Sequence, residues 1–329
     1  MEQIRNFIEK EKLIKKGSRV VIGLSGGPDS VFLLHFLTQL KKNGTISELI
    51  CAHLDHEWRA DSHKDVAFCH EIAKKYDIPL AVAKLSDLAL SSKKNGSKEA
   101  DGRNARRQFL QNVKQKHNAD LIALGHHAQD QQETFFIRLA RGATLTGLTG
   151  MQPKRGVYIR PLLTTDKKNI LNFLDTYNIP YLVDPSNKSD AFLRNRIRNN
   201  LFPELHKTDS RFATKLTETM ESLRDTEKFL QQLTRTTFQS VATKAKSGFS
   251  VDTTKLFALH PVLYKRVVLH WLCQENVPFP ASRGFLEEII KFLRQQQGGV
   301  HNLHHNWKIV KKKGKTSIQS SQRLPSRSP

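Results

Sequence analysis

The sequence predicts an α/β protein with a doubly wound parallel sheet, followed by a second, mainly helical domain. Up to Gly150, short runs rich in β-branched residues alternate with longer segments of helical periodicity. Polar clusters follow several of these runs. Parallel neighbouring strands need crossover connections, which the intervening helices supply. The length of 329 residues leaves room for the second domain.

Four strands and their helices are predicted in the first domain. The strands cover 19–24, 49–54, 80–85 and 119–124, and the helices cover 31–43, 61–76, 103–117 and about 130–140. After Gly150 the alternation weakens, and the segments 158–163, 166–177 and 184–187 complete the domain.

Longer helical patterns follow at about 209–240, 259–274 and 282–296. A closing hairpin is predicted from 307–310 and 316–318, and a frayed end over 319–329. We therefore predict domains at 1–207 and 208–329.

Composition and charge narrow the class of protein. Apolar residues make up 38% of the chain, which is typical of folded proteins, and the formal net charge is +22. So large a positive excess favours a polyanionic partner, but charge alone does not choose among RNA, DNA and a membrane. No apolar run reaches the length of a membrane span and no signal peptide is evident, so we expect a cytoplasmic protein that does not bind membranes. Three widely spaced cysteines form no metal-binding or redox pair.

A glycine-rich loop between the first strand and its helix is the clearest chemical motif. Residues 25–30 read Ser-Gly-Gly-Pro-Asp-Ser. Backbone N–H groups at such a turn can hold an anion, and Ser25 and Ser30 add hydroxyl donors. The loop lacks the Gly-Lys-Ser/Thr ending of a Walker A motif. A carboxylate beside phosphates requires a metal between them, so Asp29 is a candidate Mg²⁺ ligand. The alternative is an ordinary capped turn.

Several segments together resemble a known family. The loop resembles the pyrophosphate loop (PP-loop) of the N-type ATP pyrophosphatases. Residues 53–59, His-Leu-Asp-His-Glu-Trp-Arg, with Ser62, resemble the His-x-Asp-His-x-x-Arg-x-x-Ser signature of the tRNA(Ile)-lysidine synthases. Segments 125–134, 138–142 and 147–151 resemble that family's longest signature, and 160–162, 184–187 and 194–198 follow in its order. The resemblance covers about residues 19–205.

The resemblance implies a Rossmann-like, adenine nucleotide α-hydrolase-like fold and a ligase activity. The implied reaction joins L-lysine to C2 of the wobble cytidine in the CAU anticodon of a minor tRNA(Ile). ATP and Mg²⁺ are implied, with AMP and pyrophosphate as products and no obligatory protein partner. The target base must lie in an unpaired loop to be reached.

The resemblance also implies roles for single residues. The catalytic candidates are Asp29, Asp130 and Arg106, with Asp29 also holding Mg²⁺. The candidates for binding ATP are Ser25, Gly26, Gly27, Pro28, Asp29, Ser30, Asp55, His56 and His126. Asp130 and Glu133 lie three residues apart on one helix face and are implied to bind lysine. Solvated acids at a helix start remain the alternative for this pair, as strand-end hydrogen bonding does for Asp55 and His56.

Basic residues are the candidates for contact with tRNA. Arg194 and Arg198 share a helix face and are assigned to RNA or ATP phosphate, with Arg196 left open. On the terminal hairpin, Lys311, Lys312 and Lys313 are assigned to tRNA, against the alternative of a solvated face. The family usually carries an acid where this chain has Gln129.

Two rival functions are considered beside this one. One is a tRNA cytidine thiolase of the same superfamily, which would usually need the cysteine pairs that this chain lacks. The other is a non-catalytic tRNA-binding protein with a degenerate loop, against which the intact loop and Asp130 argue.

Overall fold

The protein forms two compact units, residues Met1–Leu223 and Arg224–Pro329. The computed structural model describes residues 1–88, 98–183, 193–245, 248–279, 282–312 and 314–320. The predicted boundary at 207 falls inside the first unit. The segment 184–187, Lys313 and the end beyond 320 lie outside the described residues.

The first unit alternates strands and helices as predicted. Its elements in chain order are α1 (Glu2–Lys10), β1 (Ser18–Gly23), α2 (Pro28–Lys42), β2 (Ile46–Asp55), α3 (Ser62–Lys75), β3 (Leu80–Lys84), α4 (Lys98–Lys116), β4 (Leu121–Ala123), α5 (Ala128–Ala140), α6 (Leu145–Leu148), β5 (Lys154–Arg155), β6 (Tyr158–Ile159), α7 (Lys167–Thr176), α8 (Leu193–Arg196) and α9 (Phe202–Thr208). A π-helical segment, Ile197–Leu201, joins α8 to α9.

The six-stranded sheet of this unit has the order β3-β2-β1-β4-β6-β5. All neighbouring strands are parallel except β5, which pairs antiparallel with β6 at the edge. Both faces are covered: Val20 and Ile22 belong to the core on one face, and Val21 packs with Ala105 and Phe109 of α4 on the other. This is the predicted doubly wound sheet, and it brings the carboxyl ends of β1, β2 and β4 to one edge.

The second unit begins within the long helix α10 (Phe212–Val241). It continues with β7 (Ala242–Ala245), β8 (Gly248–Asp252), α11 (Thr253–Phe257), α12 (Pro261–Gln274), α13 (Arg283–Arg294), β9 (Gly299–His304), β10 (Trp307–Lys312) and β11 (Lys315–Ser320).

The second unit is less helical than predicted. Its strands form a five-stranded antiparallel sheet of order β7-β8-β11-β10-β9, of which the sequence predicted only the hairpin β10–β11. The core of this unit includes Trp271 and Ile289, which are fully buried, and Val267, which is almost so. In the part of the chain that the structure describes, no helix combines the length and apolar character of a membrane span.

Candidate active site

The loop at 25–30 closes on itself through its two serines. The Ser25 backbone N–H donates to Ser30 Oγ over 3.1 Å, and the Ser30 hydroxyl donates to the carbonyl of Gly27 over 2.9 Å. Gly27 is the N-cap of α2, and Pro28 follows in its first turn. The loop therefore sits at the positive end of a 15-residue helix, where backbone N–H groups favour an anion.

Two glycines are required by this packing. Gly26 has φ +79°, a left-handed conformation, and a Cβ there would lie 2.7 Å from Leu182 Cδ1. A Cβ on Gly125, just after β4, would lie 3.1 Å from the backbone C and O of Asp29. The backbone just after β4 thus closely approaches the backbone at the start of α2.

A cavity opens beyond the carboxyl ends of β1, β2 and β4. The residues that line its apolar wall are Leu24, Ala52, Leu54, Phe109, Leu110 and Leu124. The residues that line its polar side are Ser25, Asp29, Ser30, Arg106 and His126. A flat apolar group joined to an anionic chain matches this division, because one wall is apolar and the other carries hydrogen-bond donors.

Asp29 faces two cationic or polar partners. Lys167 Nζ donates to its Oδ1 over 2.6 Å, and His127 Nε2 lies 3.7 Å from its Oδ2. The same His127 Nε2 lies 3.6 Å from Asp130 Oδ2. One imidazole therefore joins the loop to the predicted lysine-binding acid. Sequence reasoning did not select Lys167, because no local pattern indicates that the first residue of α7 reaches Asp29.

Every carboxylate oxygen of the acid pair accepts a hydrogen bond. Asp130 accepts from the His127 backbone N–H over 2.9 Å and from Arg194 Nη2 over 2.5 Å. Glu133 accepts from Arg198 Nε over 2.6 Å and from Arg194 Nε. Burial opposes ionisation of Asp130, but His127 and Arg194 outweigh it and hold the pKa of this carboxyl below its usual value. The acids are buried, so the solvated alternative is wrong.

The structure thus brings together two groups of residues to which the sequence analysis gave separate roles. Arg194 and Arg198 were assigned to phosphate, and Asp130 and Glu133 to lysine. The chain separation of more than 60 residues hides their pairing from sequence reasoning.

Gln129 does not point toward the acid pair. Its Oε1 accepts the Lys167 backbone N–H over 2.9 Å, and its Nε2 donates to Asp166 Oδ2 over 3.1 Å. Asp166 is the N-cap of α7. Gln129 therefore helps to cap the helix that carries Lys167, and the amide is suited to this place because it can both donate and accept.

His56 and His126 at this edge are neutral rings, each able to accept or donate one hydrogen bond. Burial, followed by Arg106, lowers the pKa of His56 to about 4, and burial also lowers that of His126 to about 4. His56 Nε2 lies 3.2 Å from Arg106 Nη2, so the neutral ring accepts from the guanidinium.

Asp55 makes hydrogen bonds of the kind that the sequence left open as its alternative role. It is buried and accepts from the Glu57 backbone N–H over 2.8 Å and from Ser62 Oγ over 3.2 Å. These are strand-end hydrogen bonds.

Three buried histidine nitrogens of the first unit have no hydrogen-bond partner among the described residues: Nδ1 of His56, of His126 and of His127. Buried polar atoms are normally satisfied, so Nδ1 of His126, which lines the cavity, is a candidate for contact with a ligand.

The described residues contain no group of three or more His, Cys, Asp or Glu side chains placed to hold a metal ion. Magnesium at nucleotide sites commonly uses one or two carboxylates together with phosphates and water. Asp29 alone fits that kind of site, next to the phosphate-binding loop.

The predicted tRNA contact at Lys311 is wrong. Its side chain is 5% exposed, and its Nζ donates to the Leu293 carbonyl over 2.7 Å and to that of Gln295. The ammonium therefore caps the C-terminal end of α13. Strand alternation is the cause, since Lys311 shares the inward face of β10 with the fully buried Ile309, while Lys312 points to solvent.

These features define a class before they define a reaction. A Ser-Gly-Gly loop between a parallel strand and a helix, opening on a cavity with apolar and polar walls, is the site of a PP-loop protein, and the family described as PP-loop domain matches residues 1–205.

Closer relatives identify the family within this class. The chain is 34% identical over 321 residues to the tRNA(Ile)-lysidine synthase of Bacillus subtilis (strain 168), covering 94% of this chain and 67% of the relative. It is 37% identical over 261 residues to that of Geobacter sulfurreducens, covering 78% and 55%. The chain belongs to the tRNA(Ile)-lysidine synthase family and spans about two-thirds of the length of the Bacillus subtilis relative.

A solved structure supports the fold. The U34-tRNA thiolase NcsA of Methanococcus maripaludis, determined with its 4Fe-4S cluster, superposes with a TM-score of 0.57 at 18% identity, over 68% of this chain and 78% of that one.

Proposed function

We propose that this chain is an ATP-dependent ligase that joins L-lysine to C2 of the wobble cytidine in the CAU anticodon of a minor tRNA(Ile), releasing AMP and pyrophosphate. The observation that carries the proposal is the position of His127, whose Nε2 lies 3.7 Å from Asp29 and 3.6 Å from Asp130. A phosphate-binding loop and a buried acid pair thereby share one site, as a reaction between a nucleotide-activated group and an amine requires.

ATP binding follows from the two walls of the cavity. The apolar wall suits adenine, and the loop at 25–30 offers backbone N–H groups and the helix N-terminus to the phosphates. Asp29 would hold Mg²⁺, which supplies charge neutralisation at the phosphates when bound. Lys167 and Arg106 add fixed positive charge on this side of the cavity.

Activation of the cytidine makes its oxygen a leaving group. In the proposed sequence the cytidine O2 attacks the α-phosphorus of ATP, the bond to the β-phosphate oxygen breaks, and pyrophosphate leaves. The lysine amine then forms a bond to C2, loses a proton, and expels AMP with the former O2. The residues lining the cavity hold the reacting groups together, which is the main contribution of such a site to the rate.

The acid pair is the proposed lysine site. Protein groups already contact it, and this constrains how lysine can bind. All four carboxylate oxygens of Asp130 and Glu133 accept hydrogen bonds in this structure. Each carboxylate oxygen can accept a second hydrogen bond, but Glu133 is completely buried and both guanidiniums contact it. Movement of one guanidinium to RNA phosphate would open a path to the pair, so we expect lysine to bind after tRNA.

The remaining partner is the tRNA. The net charge of +22 supplies affinity for its backbone independent of sequence. Lys312 is solvent-exposed and keeps its proposed tRNA contact, whereas Lys311 does not.

The deciding experiment measures incorporation of labelled lysine into total tRNA by the purified full chain, with pyrophosphate release followed in the same reaction. We expect incorporation that requires ATP and tRNA. The variants D29N and D130N should lose turnover, and D29N should bind tRNA nearly as the parent does, because Asp29 contacts neither backbone phosphate nor Arg194 in this scheme.

Two results would contradict the proposal. ATP cleavage without lysine incorporation would place the chain elsewhere among PP-loop enzymes. Binding of tRNA without pyrophosphate release under any condition would favour a non-catalytic tRNA-binding protein.

A further inference from the structure

A large aromatic side chain stands exposed beside the cavity. Trp58 is 45% exposed, and its ring stacks on that of His56 with centroids 4.7 Å apart and an interplanar angle of 30°. His56 in turn accepts from Arg106, which lines the cavity. An indole, an imidazole and a guanidinium thus contact one another in series beside the site.

The position of the indole is built into helix α4. Gly102 lies within this helix, and a Cβ there would stand 2.6 Å from the Trp58 ring. Glycine in a helix interior is unfavourable relative to alanine. Arg106 follows Gly102 by one helical turn, so one face of α4 both makes room for Trp58 and fixes His56.

The connecting residue is also held in an uncommon conformation. Glu57 has φ 53°, a left-handed geometry that non-glycine residues seldom adopt. Its backbone N–H donates to Asp55 Oδ1 over 2.8 Å, and its Oε2 accepts the Ser86 N–H over 2.8 Å. These bonds stabilise the turn in which the side chains before and after Glu57 stack on each other.

We propose that the Trp58–His56 stack is a platform for an unpaired base of the RNA substrate loop and thereby positions the target nucleotide over the cavity. The inference rests on the proposed function and adds a positioning residue to it. Proteins that read single-stranded RNA stack splayed bases on aromatic rings and hold the adjoining phosphates with arginine. Trp58 offers the exposed ring, and Arg106 offers the nearby charge.

An RNA base is a better candidate for stacking on Trp58 than the adenine of ATP, because adenine has a separate place in the site. Adenine has an apolar wall made by Leu24, Ala52 and Phe109, next to the phosphate-binding loop. Trp58 is 45% exposed, stacks on His56, and is not among the residues that line that cavity. It therefore suits a second planar group that approaches from solvent.

Tryptophan fluorescence tests this directly. The other two tryptophans are Trp271, which is fully buried, and Trp307, and both belong to the second unit. The probe is a synthetic RNA stem-loop whose loop carries CAU. We expect it to quench the parent's emission, with or without ATP, and to leave W58F unquenched. A fully paired RNA of the same composition should not quench.

Affinity gives the second readout. W58A should weaken stem-loop binding by roughly 10-fold or more, W58F should retain most of the affinity, and the KM for ATP should stay unchanged in both. The matched control is Y177A, which removes another exposed aromatic of the same unit and should leave RNA affinity unchanged.

The outcomes separate this inference from the function on which it rests. Quenching by ATP alone, with a raised KM for ATP in W58F, would assign the platform to adenine and overturn the inference. Unchanged RNA affinity in W58A, in a parent that transfers lysine to tRNA, would also overturn it. Failure of the parent to transfer lysine would instead contradict the proposed function, whether or not the stem-loop quenches Trp58.

Discussion

Arg194 donates from Nε to Glu133, a carboxylate that is completely buried within the first unit. Arg198 donates to the other oxygen of the same carboxylate over 2.6 Å. A buried charge without a partner is strongly unfavourable, so the two guanidiniums are needed for the ionised form of Glu133. The two arginines are only partly redundant, because each donates to a different carboxylate oxygen of Glu133.

We expect R194M and R198M to lower the free energy of unfolding more together than the sum of the single effects. Each single variant leaves one cation on Glu133 and should cost about 1–2 kcal/mol, whereas the double variant leaves none and should cost about 3–5 kcal/mol or more. Chemical denaturation of the three variants measures this. Adding E133Q to the double variant should recover part of the loss, and strict additivity would contradict the argument.

The close approach of β4 to the phosphate-binding loop makes Gly125 a second test. In G125A the new Cβ meets the backbone of Asp29 at 3.1 Å, so the loop must shift. We expect a lower melting temperature and an ATP KM raised roughly 10-fold or more, since a displacement of this size disturbs ligand alignment.

The matched variant is G27A, whose Cβ would meet only Ser25 Oγ, at 3.6 Å. Its melting temperature should fall less than that of G125A, while ATP binding still suffers because the loop backbone can no longer approach phosphate. Equal melting temperatures for both variants would show that the loop accommodates the Cβ on Gly125.

The parallel sheet and the phosphate-binding loop could be predicted from the sequence because both are marked by local patterns. Periodicity located β1, β2 and β3 to within a few residues, and the polar clusters at strand ends located the cavity. The second sheet was missed in part because β7 and β8 are only four and five residues long. The pairing of Arg194 with Glu133 joins distant parts of the chain and leaves no local signal.

The burial of Lys311, unlike the pairing of Arg194 with Glu133, is indicated by a local pattern in the sequence. The lysines at 311 and 312 read as a charge run, yet period-two alternation from Ile309 places Lys311 inside. On this strand the period-two pattern is therefore a better predictor of exposure than the charge run.

Stability should fall as the pH is lowered from about 6.5 toward 4. Burial lowers the pKa of His56 and of His126 to about 4, so these rings stay neutral in the folded state while they protonate in the unfolded chain. The unfolded state then binds more protons in this window, and the free energy of unfolding decreases with falling pH. Each ring contributes a slope of at most about 1.4 kcal/mol per pH unit.

Denaturation at several pH values checks this expectation. The double variant H56Q/H126Q should show a shallower dependence between pH 4 and 6.5 than the parent. A parent-like slope in the double variant would assign the dependence to other groups.

Gln129 provides a test of helix capping next to Lys167. In Q129E the side chain can still accept the Lys167 N–H but no longer donates to Asp166, and two carboxylates then face each other. We expect a loss of about 1 kcal/mol in the free energy of unfolding. D166N in the same chain should restore most of it by removing the like charge. No change in Q129E would show that solvent screens this pair.

Lys311 and Lys312 should separate stability from RNA binding. K311M removes the donor to the carbonyls of Leu293 and Gln295 and leaves buried acceptors unsatisfied, so it should lower the free energy of unfolding of the second unit by about 1–3 kcal/mol. K312M changes an exposed side chain and should alter stability by less than about 0.5 kcal/mol. It should instead weaken tRNA binding and reduce the dependence of that binding on salt concentration, since a phosphate contact releases counterions. Thermal unfolding and tRNA titrations at two salt concentrations measure both effects. A K311M chain with full stability and weakened tRNA binding would reverse the assignment of these neighbouring lysines.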